Sequence, residues 1–139
     1  MRLPLAIAAA MASILLLGDA VMGYGATYSV AFGAFSMMAL AIGATFFWLW
    51  RARSTPLALG MAFSWAGSAC VMGWWWIYTL TGEPPAMRTN TLLFVFLALS
   101  LTGALMHFAV IRRSLGWDGA IWLVPLGALA ASAALVLAA

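Results

Sequence analysis

A chain of 139 residues that is 67% hydrophobic and 6% charged lies far outside the composition of a water-soluble domain. Its formal net charge of +3 comes from six arginines and no lysine, scattered at the ends of apolar runs. That pattern excludes a nucleic-acid surface, and the short polar connections leave no room for a nucleotide-binding or kinase module.

Five apolar runs, Leu3–Met22, Ala26–Trp50, Leu57–Leu80, Thr91–Val110 and Gly119–Ala138, organise the sequence. Each is close to the ~20 residues that cross a ~30 Å hydrocarbon core as a helix. They predict an all-α polytopic membrane protein, a bundle of five transmembrane helices in a single domain over 1–139.

The first run begins after Arg2. A cleaved signal peptide over Leu3–Leu17, with a small-residue site near Ala20, is the rival reading. The apolar run continues through Val21 and Met22, and no Ala-x-Ala precedes a polar start, so an uncleaved first helix is expected. Cleavage would leave four spans with the orientation of the rest unchanged. Gly23-Tyr24-Gly25 then predicts a tight turn that makes the first two helices antiparallel neighbours.

Small residues mark the second run at Ser29-Gly33 and Ala39-Gly43, and it closes on Trp48, Trp50, Arg51 and Arg53. Thr55 followed by Pro56 supplies an N-cap and a first-turn proline for the third. That third run carries the densest rows of small side chains, Gly60-Ser64-Ser68 and Ala62-Ala66-Cys70, with Ala69-Gly73 toward its far end. Lipid offers no hydrophobic drive between helices, so close approach by small residues supplies the association energy. The third helix is therefore expected at the centre.

Trp74, Trp75, Trp76 and Tyr78 end the third run at an outer interface, together with Tyr24 and Tyr28 from the second. Gly82-Glu83-Pro84-Pro85 predicts an extended loop. Thr89 or Asn90 caps the fourth helix, which holds Ser100-Ala104 and ends near His107, Arg112 and Arg113. Asp118 before Gly119 caps the fifth, in which Pro125 sits early and Gly127-Ala131 is a further small pair. Trp117 and Trp122 join Trp48 and Trp50 at the inner edge.

Orientation follows from the arginines, because short cytoplasmic segments carry the excess of positive charge. Arg2, Arg51, Arg53, Arg112 and Arg113 fall on one side and Arg88 on the other. The N-terminus is accordingly expected in the cytoplasm and the C-terminus outside, and the Arg51, Arg53, Arg112 and Arg113 rim is expected to meet anionic lipid headgroups. Arginine without lysine, with heavy alanine and leucine use, points to a bacterial inner membrane.

Chemistry is sparse. Asp19 and His107 are the ionisable groups at membrane depth, where charge is costly and function is the first suspicion. Asp19 lies toward the outer surface, solvated, paired with Arg88, or at the mouth of a cation or proton path. His107 lies toward the inner surface as a hydrogen-bonded residue, a relay member or a lone ligand. Their depths keep them from forming a dyad, and a single histidine rules out bis-histidine haem within one chain.

Cys70 stands alone and is assigned to packing. Nine methionines raise Cu(I), with Met11/Met22 and Met61/Met72 each eleven apart, but no histidine or cysteine joins either pair, so no metal or other cofactor is expected. Trp65 needs a partner for its indole N–H, with Ser64 or Ser68 within reach. Three acids, one histidine and no lysine are too few for membrane hydrolase or transferase chemistry, and no enzyme is expected. No repeat is evident beyond the two arginine-serine helix ends at Arg51–Ser54 and Arg112–Ser114.

What remains is a non-catalytic accessory or structural subunit that packs on a larger inner-membrane complex, with Trp74, Trp75 and Trp76 as an exposed aromatic surface. The alternative is a homo-oligomeric channel or transporter with Asp19 at its outer mouth, a phage-type hole-forming protein being a minor variant. The partners in either case are the bilayer and other membrane subunits or further copies of the chain.

Overall fold

The computed structural model describes residues 2–115 and 123–138. These form α1 (Arg2–Met22), α2 (Tyr24–Arg53), α3 (Pro56–Leu80), the single turn α4 (Pro85–Arg88), α5 (Leu92–Leu115) and α6 (Leu123–Ala138), with no strand among the described residues. Four stretches, Leu3–Met22, Tyr24–Arg53, Pro56–Leu80 and Pro85–Arg112, are long and apolar enough to cross a membrane. The 16 described residues of α6 span ~24 Å at 1.5 Å per residue. The expected start of that helix at Gly119, its Asp118 cap and the rings of Trp117 and Trp122 lie outside the described residues.

The joints between helices are set by backbone chemistry. One residue, Gly23, separates α1 from α2, with φ 84° and ψ 160°, a region essentially closed to side chains. Its N–H donates to the Asp19 carbonyl at 2.9 Å, and its own carbonyl accepts from Thr27 N–H at 3.1 Å. The turn is thus tighter than expected, since Tyr24 and Gly25 already belong to α2.

Ser54 ends α2 in the left-handed region at φ 50°, its N–H donating to the Trp50 carbonyl at 2.6 Å. Thr55 precedes α3 as expected, but its side chain makes no capping bond. Its carbonyl is what the helix uses, accepting from Ala58 and Leu59 N–H, while Pro56 removes one orphan donor by having none.

The connection from α3 to α5 departs from expectation in a similar way. Gly82 (φ 78°) and Glu83 (φ 60°) turn the chain, and Glu83 N–H closes back on the Tyr78 carbonyl at 2.9 Å. Only Pro84 is extended; Pro85 opens the one-turn helix α4, because a ring-locked φ suits a first helical position. Asn90 takes the capping role for α5, its Oδ1 accepting from Leu92 N–H at 2.9 Å.

Helix α3 lies between α2 and α5, and contact with α1 is the smallest of the three main helix pairings. Small side chains decide this. On the α2 side a methyl on Gly43 would stand 3.1 Å from Ala66 N and 3.4 Å from the Ala62 carbonyl. On the α5 side Gly60 and Gly103 bring the backbones together, and Gly67 faces Ser100 and Phe96. Apart from Thr27 and Tyr78, the buried residues of the two helices are small: Gly33, Ser36, Ala39 and Gly43 on α2, and Ala58, Gly60, Ala62, Gly67 and Ala69 on α3. Such contacts work through backbone proximity and dispersion.

The main packing runs in chain order, α1 on α2, α2 on α3, α3 on α5, while α2 and α5 share at most a marginal contact. The described helices therefore form an open row around α3, not a closed bundle. Between α2 and α5 this row leaves an apolar groove of about 310 Å³ over α3, walled by Met37, Leu40, Trp74 and Phe96. Helix α6 stands across a cleft of about 390 Å³ from α5, lined by Leu105 and Phe108 on one side and Pro125 and Leu129 on the other.

Candidate functional site

Four polar features stand out against this apolar frame. The first is at the α1–α2 joint. Asp19 and Thr27, brought together by the Gly23 turn, line a cleft of about 240 Å³ with Tyr24 and Tyr28. The two tyrosine rings, one helical turn apart, stack at 5.9 Å between centroids and 16° between planes. Asp19 is exposed and its carboxylate has no partner among the described residues. Thr27 is 8% exposed and its hydroxyl is buried without a partner, against Gly18.

Of the alternatives open for Asp19, pairing with Arg88 does not form. Arg88 Nε donates to the Tyr78 hydroxyl at 3.1 Å, and the guanidinium lies 3.8 Å from Glu83 Oε2. The hydrogen bond to Tyr78, with its electrostatic attraction and then that of Glu83, holds Arg88 above its ordinary pKa. Trp74 Nε1–H donates to the Met87 carbonyl at 3.1 Å. Tyr78 and Trp74 thus tie the α4 turn onto the C-terminal end of α3.

Three consecutive tryptophans cannot share one helical face, since each step turns ~100°. Trp74 leans toward α5, edge-on to Phe96 at 6.2 Å. Trp76 lies over Gly33 of α2, its indole N–H buried without a partner. Trp75 alone of the three is exposed, edge-on to Tyr78 at 5.4 Å. The expected exposed aromatic surface is therefore one ring, the other two being spent on packing. At the opposite ends of the helices Trp48 is exposed and Trp50 half-buried beside Phe47, and Arg51, Arg53 and Arg112 are exposed. Arg113 falls in the last turn of α5; its side chain lies outside the described residues.

The third feature is a hydroxyl seam between α3 and α5. Ser68 and Ser100 hydroxyls are 3.3 Å apart, and Ser100 Oγ reaches the Ser64 carbonyl at 3.5 Å. The Gly60-Ser64-Ser68 row faces α5, while Ala62 and Ala66 face α2. These serines serve the helix contact; neither reaches Trp65. Ser100 was legible only as half of a small pair, because its partner lies 32 residues away.

The fourth is His107, half-buried on α5. Its Nδ1–H donates to the Gly103 carbonyl at 3.1 Å, and its Nε2 abuts Met61 Sδ of α3. The spacing predicts no histidine beside either methionine pair, yet Met61 meets His107. The helix rotation that creates the contact is invisible in spacing. Cys70 is half-buried and borders the apolar groove.

No protein-family model, curated protein or solved structure matches this chain.

Proposed function

We propose that this is a small non-catalytic subunit of a bacterial inner membrane, with five spans, its N-terminus in the cytoplasm, and a place against a larger membrane complex. The open row carries the reading. Among the described residues the faces of α2 and α5 turned away from α3 stay largely open, α1 and α6 are held by few contacts, and the serine hydroxyls between α3 and α5 are spent on the helix contact. A helix held by few contacts of its own chain gains most from a partner's surface. The five arginines at one set of helix ends support the orientation.

The test is the native mass of the tagged protein extracted from its own membranes in mild detergent, with mass-spectrometric identification of what stays bound. A stoichiometric set of foreign subunits is expected. A pure homo-oligomer would overturn it and favour the second reading, a channel or transporter. One observation supports that alternative, the Asp19 carboxylate, without a partner among the described residues, in a cleft beside two tyrosines. Proteoliposome flux that vanishes in Asp19→Asn would establish it.

A further inference from the structure

Asp19 stands near the end of α1, and the Gly23 turn brings α2 beside it so that Tyr24, Thr27 and Tyr28 share its cleft. Leu15 and Leu16, one helical turn before Asp19, line the same cleft. The cleft therefore has two ends, a polar one at the α1–α2 joint and an apolar one toward the middle of the two helices.

Each part of the lining narrows the ligand. The Asp19 carboxylate is exposed and has no partner among the described residues, so it repels anions and attracts a cation. One carboxylate among phenols and leucines supplies too few hard oxygens for Ca²⁺ or Mg²⁺. The volume of about 240 Å³ is several times the ~30 Å³ that one water occupies, far more than a bare monovalent ion fills. It also falls just below the ~300 Å³ at which pockets for drug-sized ligands begin. An occupant of that size has a charged head and a short apolar part.

The aromatic rings favour the same head. Tyr28 stacks on Tyr24 at 5.9 Å and on Phe32 at 5.3 Å, so Tyr24 ends this stack, and at 74% exposure it offers a ring to a cation. Thr27 is 8% exposed and its hydroxyl is buried without a partner, an uncommon state for a buried polar group. An ammonium N–H at this end of the cleft is a donor from which that oxygen can accept.

We propose that the α1–α2 cleft binds an organic ammonium ion, its charged head at Asp19 and Tyr24 and its apolar part along Leu15 and Leu16. The channel reading rests on the same cleft, but binding and flux are separate measurements, and either can fail without the other. A solute and the headgroup of a phospholipid both supply this chemistry at a membrane edge.

The experiment titrates n-hexylammonium by calorimetry into the full-length protein purified in a maltoside detergent, with the heat of protein-free micelles subtracted. Saturable binding of one ion per chain is expected, and hexanol, the neutral molecule of the same length, should give none. Asp19→Asn keeps the side-chain shape at an exposed position and should weaken binding about tenfold or more, the size of one charge-assisted hydrogen bond. Tyr24→Leu should weaken it about two- to fivefold, the effect of losing an exposed cation–π contact. Glu83→Gln, which removes a carboxylate outside the cleft, should bind as the parent does. Phosphatidylethanolamine added to the micelles should compete with hexylammonium where the natural occupant is a headgroup and leave its affinity unchanged where it is a solute; either result supports the site. No saturable heat, an unchanged affinity in Asp19→Asn or Tyr24→Leu, equal binding of hexanol, or an equal loss in Glu83→Gln would each overturn it.

Discussion

Gly67 on α3 lies so close to α5 that a methyl group on it would come within 2.5 Å of Ser100 N and 2.8 Å of the Phe96 carbonyl. Backbone, unlike a flexible side chain, cannot step aside. Gly67→Ala should therefore force α3 and α5 apart and lower stability by about 1–3 kcal/mol, the usual cost of overpacking, read from thermal or denaturant unfolding in detergent. Gly25→Ala is the control: nothing lies within 4 Å of its site. It should leave stability unchanged or raise it by about 0.5–1 kcal/mol through helix propensity.

Ser100 offers its hydroxyl to Ser68 and to the Ser64 carbonyl. Hydrogen bonds between membrane helices average about 0.6 kcal/mol, so Ser100→Ala should cost about that much. A double-mutant cycle with Ser68→Ala should return a coupling of no more than the same size, since 3.3 Å is long for a bond between two hydroxyls.

Gly23 is the entire connection between α1 and α2, and its φ of 84° admits no side chain without strain. Gly23→Ala should cost about 1–3 kcal/mol locally and splay the joint. With Cys70→Ser as background, cysteines at Gly18 and Thr27, which face each other across it, should cross-link in the parent turn and lose yield in Gly23→Ala.

Tyr78 holds Arg88 through its hydroxyl. Tyr78→Phe should increase hydrogen exchange over residues 82–91 while the unfolding midpoint of the helices moves little, because the accompanying Arg88–Glu83 pair is exposed and weak. As Arg88 is raised from an already high pKa, it stays charged at every working pH, and the tether should show no change from neutral to moderately alkaline solution.

Side-specific thiol labelling on the Cys70→Ser background should reach Arg53→Cys from the cytoplasm and Arg88→Cys from outside. A reporter fused after residue 139 should share the side of Arg88 if the fifth span crosses. Finding it with Arg53 instead would show that α6 does not.

The centrality of α3, the presence of the long apolar helices and a cap at Thr89 or Asn90 were legible because they depend on local rules: small-residue rows, helix length and capping chemistry. What escaped was set by rotation and stagger between helices. Alanine and leucine on every face leave rotation unspecified, so the meeting of Met61 with His107 across 46 residues could not be read from spacing. The same holds for the turning of Trp74 and Trp76 inward. Nor could the row be told from a bundle, since the same packing motifs serve both. Pairing of Arg88 with Asp19 is one alternative the sequence offers, because the arginine count assigns both to one membrane edge, but Tyr78, ten positions away on the preceding helix, takes the guanidinium.

Because the main contacts join long helices that follow one another in the chain, the native contacts can form in the order in which the chain leaves the ribosome. No early segment has to wait, exposed, for a distant late one, and contacts of short sequence separation close quickly. The α2–α3 pair should already be native-like in a nascent chain that has not yet made α5.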